Sequence, residues 1–302
     1  MKVTIVGVGL IGGSMAIDLR KSGFATELIG VDLNPENAQS AITLGLVDRI
    51  EAEDVALTSA DVVILTIPVN ALGALAPSVL DTVKKGALVL DTGSTKRQIC
   101  RSISGHPKRQ QFVAAHPIAG TENSGPEAAF SGLFTGKAVI VCEKEKSSDE
   151  ALALSFRIFE ALKMKVTYMQ PEEHDRHVAY VSHLSHVSSF LLGQTVLDIE
   201  RDEKNIFTLA GSGFASTVRL AKSSPGMWAP IFEQNTEYLS QALQEYILHL
   251  QRFQYHLMKK DTKELQRIMT EANQIRRILE GFNGDSSTPV EKELNEKNSF
   301  TK

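Results

Sequence analysis

From the amino terminus to about residue 148 the chain repeats one hydropathic unit, a short apolar run followed by a longer stretch of helical spacing. The runs are "KVTIV" (2–6), "ELIGVD" (27–32), "DVVILTIPV" (61–69), "GALVLDTG" (86–93), "QFVAAHP" (111–117) and "KAVIVCE" (137–143). They are apolar without polar alternation, which suits parallel strands covered on both faces. Helices are predicted through "MAIDLRKSG" and from Pro35 to about Gly45. Strand and helix alternating at this spacing predict a doubly wound, mostly parallel α/β sheet.

From about residue 149 the pattern changes. "SDEALALSFRIFEALKM" reads as a helix with a polar start, and "KVTYM" as one last short strand. "PEEHD" then opens a helical stretch to about Ile199, followed by a glycine-rich loop, "LAGSGFAS", and further helical patterns from Met227 to about Phe282. The predicted organisation is a dinucleotide-binding α/β domain at 1–168, an all-α domain at 169–284 and a polar, mobile tail at 285–302.

Composition narrows the function classes. The 302 residues carry a net charge of −4 and a pI near 6.1, so neither nucleic acid nor an anionic membrane is the expected partner. The first apolar stretch is too short to span a bilayer and lacks the parts of a signal peptide. Cys100 and Cys142 form no metal or redox motif, and a reducing cytoplasm is expected. His174, His177, His183 and His186 repeat a three-residue spacing, but the six-residue step between the pairs turns them apart, so no metal site is expected.

"GVGLIGGS" sets Gly7, Gly9 and Gly12 in the G-x-G-x-x-G pattern, after a strand and at the start of a helix. One glycine permits the tight turn, one lets backbone approach a pyrophosphate, and one lets the helix pack against its strand. The helix start, with Leu10 and Ile11, presents free N–H groups and a positive dipole end to phosphate. Asp32 ends the second run, where a carboxylate accepts hydrogen bonds from ribose hydroxyls and repels a 2′-phosphate. Leu33 and Asn34 supply no cation for that phosphate, so NAD is expected over NADP. Pro68, at the end of the third run, joins the expected cofactor residues.

An open α/β sheet binds its ligand at the carboxyl ends of its strands. "VLDTGSTK" puts Ser94 and Lys96 just past one strand, and "FVAAHPIAG" puts His116 at the end of another. Taken alone, His116 also suits a strand-end residue bonded to backbone, Ser94 a helix cap, Arg219 a solvated helix arginine and Trp228 a packing anchor.

Five stretches in order, "GVGLIGGS", "DTGSTK", "HPIAGTENSG", "VSHLSH" and "GSGFASTVRLAKSSPGMW", resemble the prephenate/arogenate dehydrogenase family of tyrosine biosynthesis. The resemblance runs to about residue 228. It implies NAD-dependent oxidative decarboxylation of prephenate to 4-hydroxyphenylpyruvate, or of arogenate. In that family the histidine matching His116 accepts the proton of the ring hydroxyl, and the serine matching Ser94 shares that hydrogen bond. The arginine matching Arg219 binds a substrate carboxylate, chemistry that suits a guanidinium. By the same resemblance His186 lines the substrate pocket with His183 in support, Glu122 pairs with a cation at the pocket mouth, and Trp228 borders the entrance. Ser216 stands where the family carries an aspartate, which puts any gate built on that acid in question.

The broad apolar faces of "IFEQNTEYLSQALQEYILHLQRF" must be buried somewhere, and a homodimer through the helical domain is expected. No further regulatory domain is expected after the helical one, so tyrosine inhibition, if present, is expected to act at the substrate pocket. Two other readings stand beside this one. One is a different two-domain dehydrogenase acting on a hydroxy acid or a cyclic amino acid; the hydroxy-acid version would place a lysine on the long helix, and Glu172 to Ile199 contains none. A dinucleotide sensor would have no need of Ser94, His116 and Arg219 together.

Overall fold

Valine, isoleucine and leucine in the apolar runs build one eight-stranded sheet, with alternate residues feeding a core on each face. The computed structural model describes residues 1–203 and 205–283, and the tail predicted at 285–302 lies outside the described residues. By internal contacts the chain divides after Ala242. The first unit holds β1 (Lys2–Val6), β2 (Glu27–Val31), β3 (Arg49–Ile50), β4 (Val62–Leu65), β5 (Leu88–Asp91), β6 (Phe112–Pro117), β7 (Ala138–Cys142) and β8 (Lys165–Met169). Their order is β3-β2-β1-β4-β5-β6-β7-β8, and every adjacent pair is parallel except β6 with β7.

Period-two alternation divides the strands between the two cores. Val3, Ile5, Val62, Ile64, Leu90, Val113 and Ala115 face α1 (Leu10–Lys21), α2 (Pro35–Thr43) and, later in the chain, the helix Asp149–Ala161. Val63, Leu65, Val89, Phe112 and Ala114 face α3 (Glu53–Ser59), α4 (Val69–Thr82) and α5 (Arg97–Ser102). The Asp149–Ala161 helix is α6. Local chemistry starts these helices: Asn34 accepts from the Glu36 and Asn37 amides ahead of α2, and Ser148 caps α6 through the Ala151 amide.

Two runs end earlier than their hydropathy predicts. The stretch 61–69 is strand only to Leu65. Thr66 turns its hydroxyl onto the Val6 and Gly7 carbonyls, and Pro68, lacking an N–H, starts α4. The stretch 86–93 is strand only over Leu88–Asp91.

The helical part continues with α7 (Pro171–Val178), a π turn (Ala179–His183), α8 (Leu184–Glu203), α9 (Ser212–Thr217), α10 (Pro225–Gln234) and α11 (Thr236–Met258). The stretch "LAGSGFAS", expected as a loop, contains the start of α9 behind Gly211. Trp228 and Ile231 of α10 join the core on the α3–α5 face. The second unit, from Leu243, contains the rest of α11, then α12 (Thr262–Ala272) and α13 (Ile275–Asn283). Arg252 pairs with Glu264 at 2.9 Å there, and Arg267 pairs with Glu264 and Glu271.

Candidate active site

β1 connects to β2 on one side while β4 lies on its other side, so a crevice opens at the carboxyl ends of β1 and β4. Gly7 sits there at φ +91°, and a Cβ on it would lie 2.7 Å from the Thr66 carbonyl oxygen. A Cβ on Gly12 would strike the Gly7 carbonyl and lie 2.7 Å from Ile5 Cγ2. Both glycines are therefore required by packing. Gly9 is different, because a Cβ there would meet no protein atom within 4 Å. It faces open space at the start of α1, where Gly9 makes no side-chain cap and the first N–H groups have no helical partner. Asp32 accepts from the Val8 amide and the Asn34 amide, each at 2.9 Å. A carboxylate has about four acceptor positions, so two remain. These residues fit a dinucleotide: an open glycine, free amides and an acceptor with capacity left. Pro68 is exposed at the neighbouring strand end.

By alternation, His116 shares the face of Phe112 and Ala114, toward α5 and α10. Its Nδ1 lies 2.8 Å from His174 Nε2, and His174 Nδ1 lies 2.8 Å from Asp175 Oδ1. His174 and Asp175 are fully buried at the start of α7. Burial disfavours the Asp175 carboxylate, but hydrogen bonds from His174 and the Lys96 and Arg97 amides outweigh it and hold the group below its ordinary range. Those amides donate at 2.7 and 3.0 Å, so Asp175, and not Ser94, caps α5.

This chain of bonds assigns the protons. An ionised Asp175 only accepts, so His174 Nδ1 carries the hydrogen. Burial holds His174 neutral, so its Nε2 accepts and His116 Nδ1 must donate. His116 then has its lone pair on Nε2. His116 is half-buried as a residue. Burial, then the nearby His174, Lys96 and His183, push it well below the usual imidazole value. His116 is therefore neutral at pH 7.

Asn235, fully buried, links this chain to the rest of the site. Its Nδ2 donates to the Asp175 carbonyl at 2.7 Å and lies 3.1 Å from His183 Nδ1. His183 is buried in the π turn, and burial lowers it to about 4. It meets Trp228 edge to face, and Trp228 stacks on His186 with ring centroids 3.5 Å apart. His186 is half-buried, and burial, with the Arg219 charge nearby, lowers its pKa. Arg219 reaches Glu122 at 2.9 Å, and Glu122 lies on the loop that follows β6. Glu122's own backbone amide and then Arg219 hold that carboxyl below its usual range.

Contacts thus connect His116, His183, His186 and Trp228, while Arg219 pairs with Glu122 and acts on His186 through its charge. Ser94 is half-buried past the end of β5, and its side chain makes no hydrogen bond among the described residues. Ser216 spends its hydroxyl on the Gly213 carbonyl at 2.9 Å. Sequence reasoning missed His174, Asp175 and Asn235. The available signal was position: His174 shares a helix face with buried Val178, and a polar residue on an apolar stripe is unusual.

A dinucleotide crevice at the sheet's switch point, with a histidine cluster at the end of β6 in the same sheet, defines a two-part nucleotide-dependent dehydrogenase architecture. The family model of the prephenate dehydrogenase nucleotide-binding domain matches residues 15–168, and that of its dimerization domain matches 170–271. The chain belongs to the prephenate dehydrogenase family. A prephenate dehydrogenase from Bacillus subtilis is 31% identical over 286 residues, covering 91% of this chain and 76% of that protein. A cyclohexadienyl dehydrogenase from Zymomonas mobilis is 29% identical over 280 residues, covering 92% and 95%. The crystal structure of prephenate dehydrogenase from Aquifex aeolicus with hydroxyphenyl propionate and NAD+ superposes with a TM-score of 0.84 at 34% identity, covering 92% of this chain and 98% of that one. Among the described residues no helix is long and apolar enough to cross a membrane.

Proposed function

We propose that this dehydrogenase oxidatively decarboxylates prephenate with NAD, using His116 Nε2 as the base. The observation that carries the reading is the chain from Asp175 through His174, which leaves that one nitrogen without a proton at the carboxyl edge of the sheet. Gly7, Gly9, Gly12, the amides of Leu10 and Ile11, Asp32 and Pro68 would hold the dinucleotide. NAD supplies the acceptor for the hydride that leaves the ring carbon bearing the hydroxyl. His116 takes the hydroxyl proton as that carbon gains carbonyl character. Carbon dioxide leaves from the opposite ring carbon and the ring becomes aromatic. The product is a phenol, so His116 returns the proton to the same oxygen, and the reaction has no net proton. Ser94 shares the hydrogen bond to the hydroxyl. General-base help of this kind contributes on the order of 10²–10⁴ in rate.

Arg219 anchors a substrate carboxylate, with Glu122 holding the guanidinium in place until substrate arrives. His186, stacked on Trp228, forms a neutral wall of the pocket. A functional boundary near residue 169 is supported by the two family matches. A homodimer is supported by the second of them and by the exposed Leu250, Leu257, Met258, Ile275 and Ile278 in the second unit. Arogenate is the second reading, supported by the similarity to a Synechocystis arogenate dehydrogenase structure, 29% identical with a TM-score of 0.72.

The test is direct. Purified protein is given NAD or NADP with prephenate or arogenate while absorbance of the reduced cofactor is followed. Turnover with NAD and prephenate at the highest kcat/KM is expected, and NAD binding without turnover of either substrate would overturn the reading.

A further inference from the structure

Lys96 is buried completely, as is Asp91, and the site described above makes no use of its ammonium. Few proteins bury a lysine without a specific reason. Its surroundings supply one. The β5–β6 ladder ends with Asp91 opposite Ala114, because the chain turns away at Gly93. A Cβ at Gly93 would lie 2.6 Å from Leu72 Cδ1, so this departure is fixed. Ala115 is the next residue of β6. Its N–H and C=O point toward the place that β5 has vacated, where no backbone can pair with them. Side chains pair with them instead. Asp91 Oδ1 accepts from the Ala115 amide at 3.1 Å, and Lys96 Nζ donates to the Ala115 carbonyl at 2.7 Å. Lys96 Nζ also pairs with Asp91 Oδ2.

Lys96 has a second role through its backbone. Its amide donates to Asp175 Oδ1, the oxygen that also holds His174. One residue therefore grips the strand one position before His116 and the helix one position after His174. We propose that the buried Lys96–Asp91 pair is a positioning device for His116, finishing the ladder that β5 leaves incomplete and fixing the separation of the His116–His174 pair. The inference rests on the reading of His116 as the base. The charged and titratable groups facing His116 are His174 from α7, Lys96 from the β5–α5 turn and His183 from the π turn. Of these, Lys96 also opposes a proton on His116.

The test uses the full chain and three variants. Lys96→Met leaves Asp91 buried without its cation and risks misfolding. It is therefore paired with Asp91→Asn/Lys96→Met, which buries no net charge. Lys96→Arg keeps the charge and changes the reach. Each is measured for kcat and KM with prephenate, NAD affinity by calorimetry, thermal unfolding, and titration of the His116 ring by NMR, assigned by its disappearance in His116→Asn. In the folded double variant, kcat is expected to fall tenfold or more with KM and NAD affinity within threefold, and the His116 titration to move upward. Lys96→Arg should lose turnover with the titration near that of the wild type. Wild-type kcat and an unmoved titration in a folded double variant would overturn the proposal. So would a failure of all three variants to fold, since the pair would then serve folding alone. Absence of turnover in the wild-type protein sinks the dehydrogenase reading instead, while the NMR titration still reads the pair's effect on His116.

Discussion

His116 Nδ1 lies 2.8 Å from His174 Nε2, and His174 in turn is held by Asp175. A base at the end of such a chain has one tautomer and one free nitrogen, which removes the cost of selecting either when substrate binds. In the proposed reaction the same chain would spread the positive charge of a protonated His116, with the Asp175 carboxylate at the far end.

His116→Asn keeps a similar volume at Nδ1 and removes the base. Turnover is expected to drop by about 10²–10⁴, with KM within a few-fold, because the residue acts on a proton that moves only during reaction. Steady-state kinetics with NAD and prephenate measure both quantities. A raised KM with undiminished kcat would remove His116 from the base's role.

Turnover should depend on pH in an unusual place. His116 must be neutral to act, and burial pushes its pKa well below the ordinary value. Activity is therefore lost only as pH falls through that depressed value. The acid limb of kcat/KM should have its midpoint below 6.5, with a plateau through pH 7. A limb centred at 6.5 or above would show that the base has solvent around it.

Arg219 and Glu122 lie 2.9 Å apart and are both accessible. An exposed pair contributes little to stability, so the arginine is free to exchange its partner for a substrate carboxylate. Arg219→Gln should raise KM tenfold or more, since hydrogen bonds to charged groups contribute about 1.5–3 kcal/mol, and leave the unfolding temperature nearly unchanged. Parallel kinetics and thermal unfolding separate these effects; a large drop in unfolding temperature would mark a structural arginine.

What could be seen in the sequence was what local spacing carries. The glycine turn, Asp32 and the apolar runs are short-range patterns, and the sheet they predict is the one observed. The two-residue β3 is too short to leave a hydropathic trace. Thr66–Pro68 reads as apolar strand until the Thr66 hydroxyl is seen bonded to β1. His116 could be singled out because it stands at a strand end before a proline. Its partner is 58 residues away, and no spacing rule joins a strand end to the first turn of a distant helix. Nor does the sequence around 179–183 announce a π turn. Lys96 was visible as a polar residue past a strand, but its complete burial depends on Gly93 turning β5 away.

The buried histidines also govern stability against pH. In the unfolded chain each titrates near 6.5. In the folded protein His183 is lowered to about 4, and His116 and His174 are lowered as well. Below 6.5 the unfolded chain binds protons that the folded protein cannot, so stability falls as pH falls. For His183 the loss begins near 6.5 and stops near 4, where the folded form also takes its proton. Each such group contributes about 1.4 kcal/mol per pH unit inside its window. Asp175 extends the decline further down, because its lowered pKa loses its stabilising effect only as pH falls from about 3.8 toward its folded value. Urea unfolding at a series of pH values from 7.5 to 4.5 should show stability dropping from below pH 7, with a slope of more than one proton. His183→Asn, measured the same way, should reduce that slope by about one proton between 6 and 5. A stability flat across pH 7 to 5 would mean that these rings protonate in place and that burial does not hold them neutral.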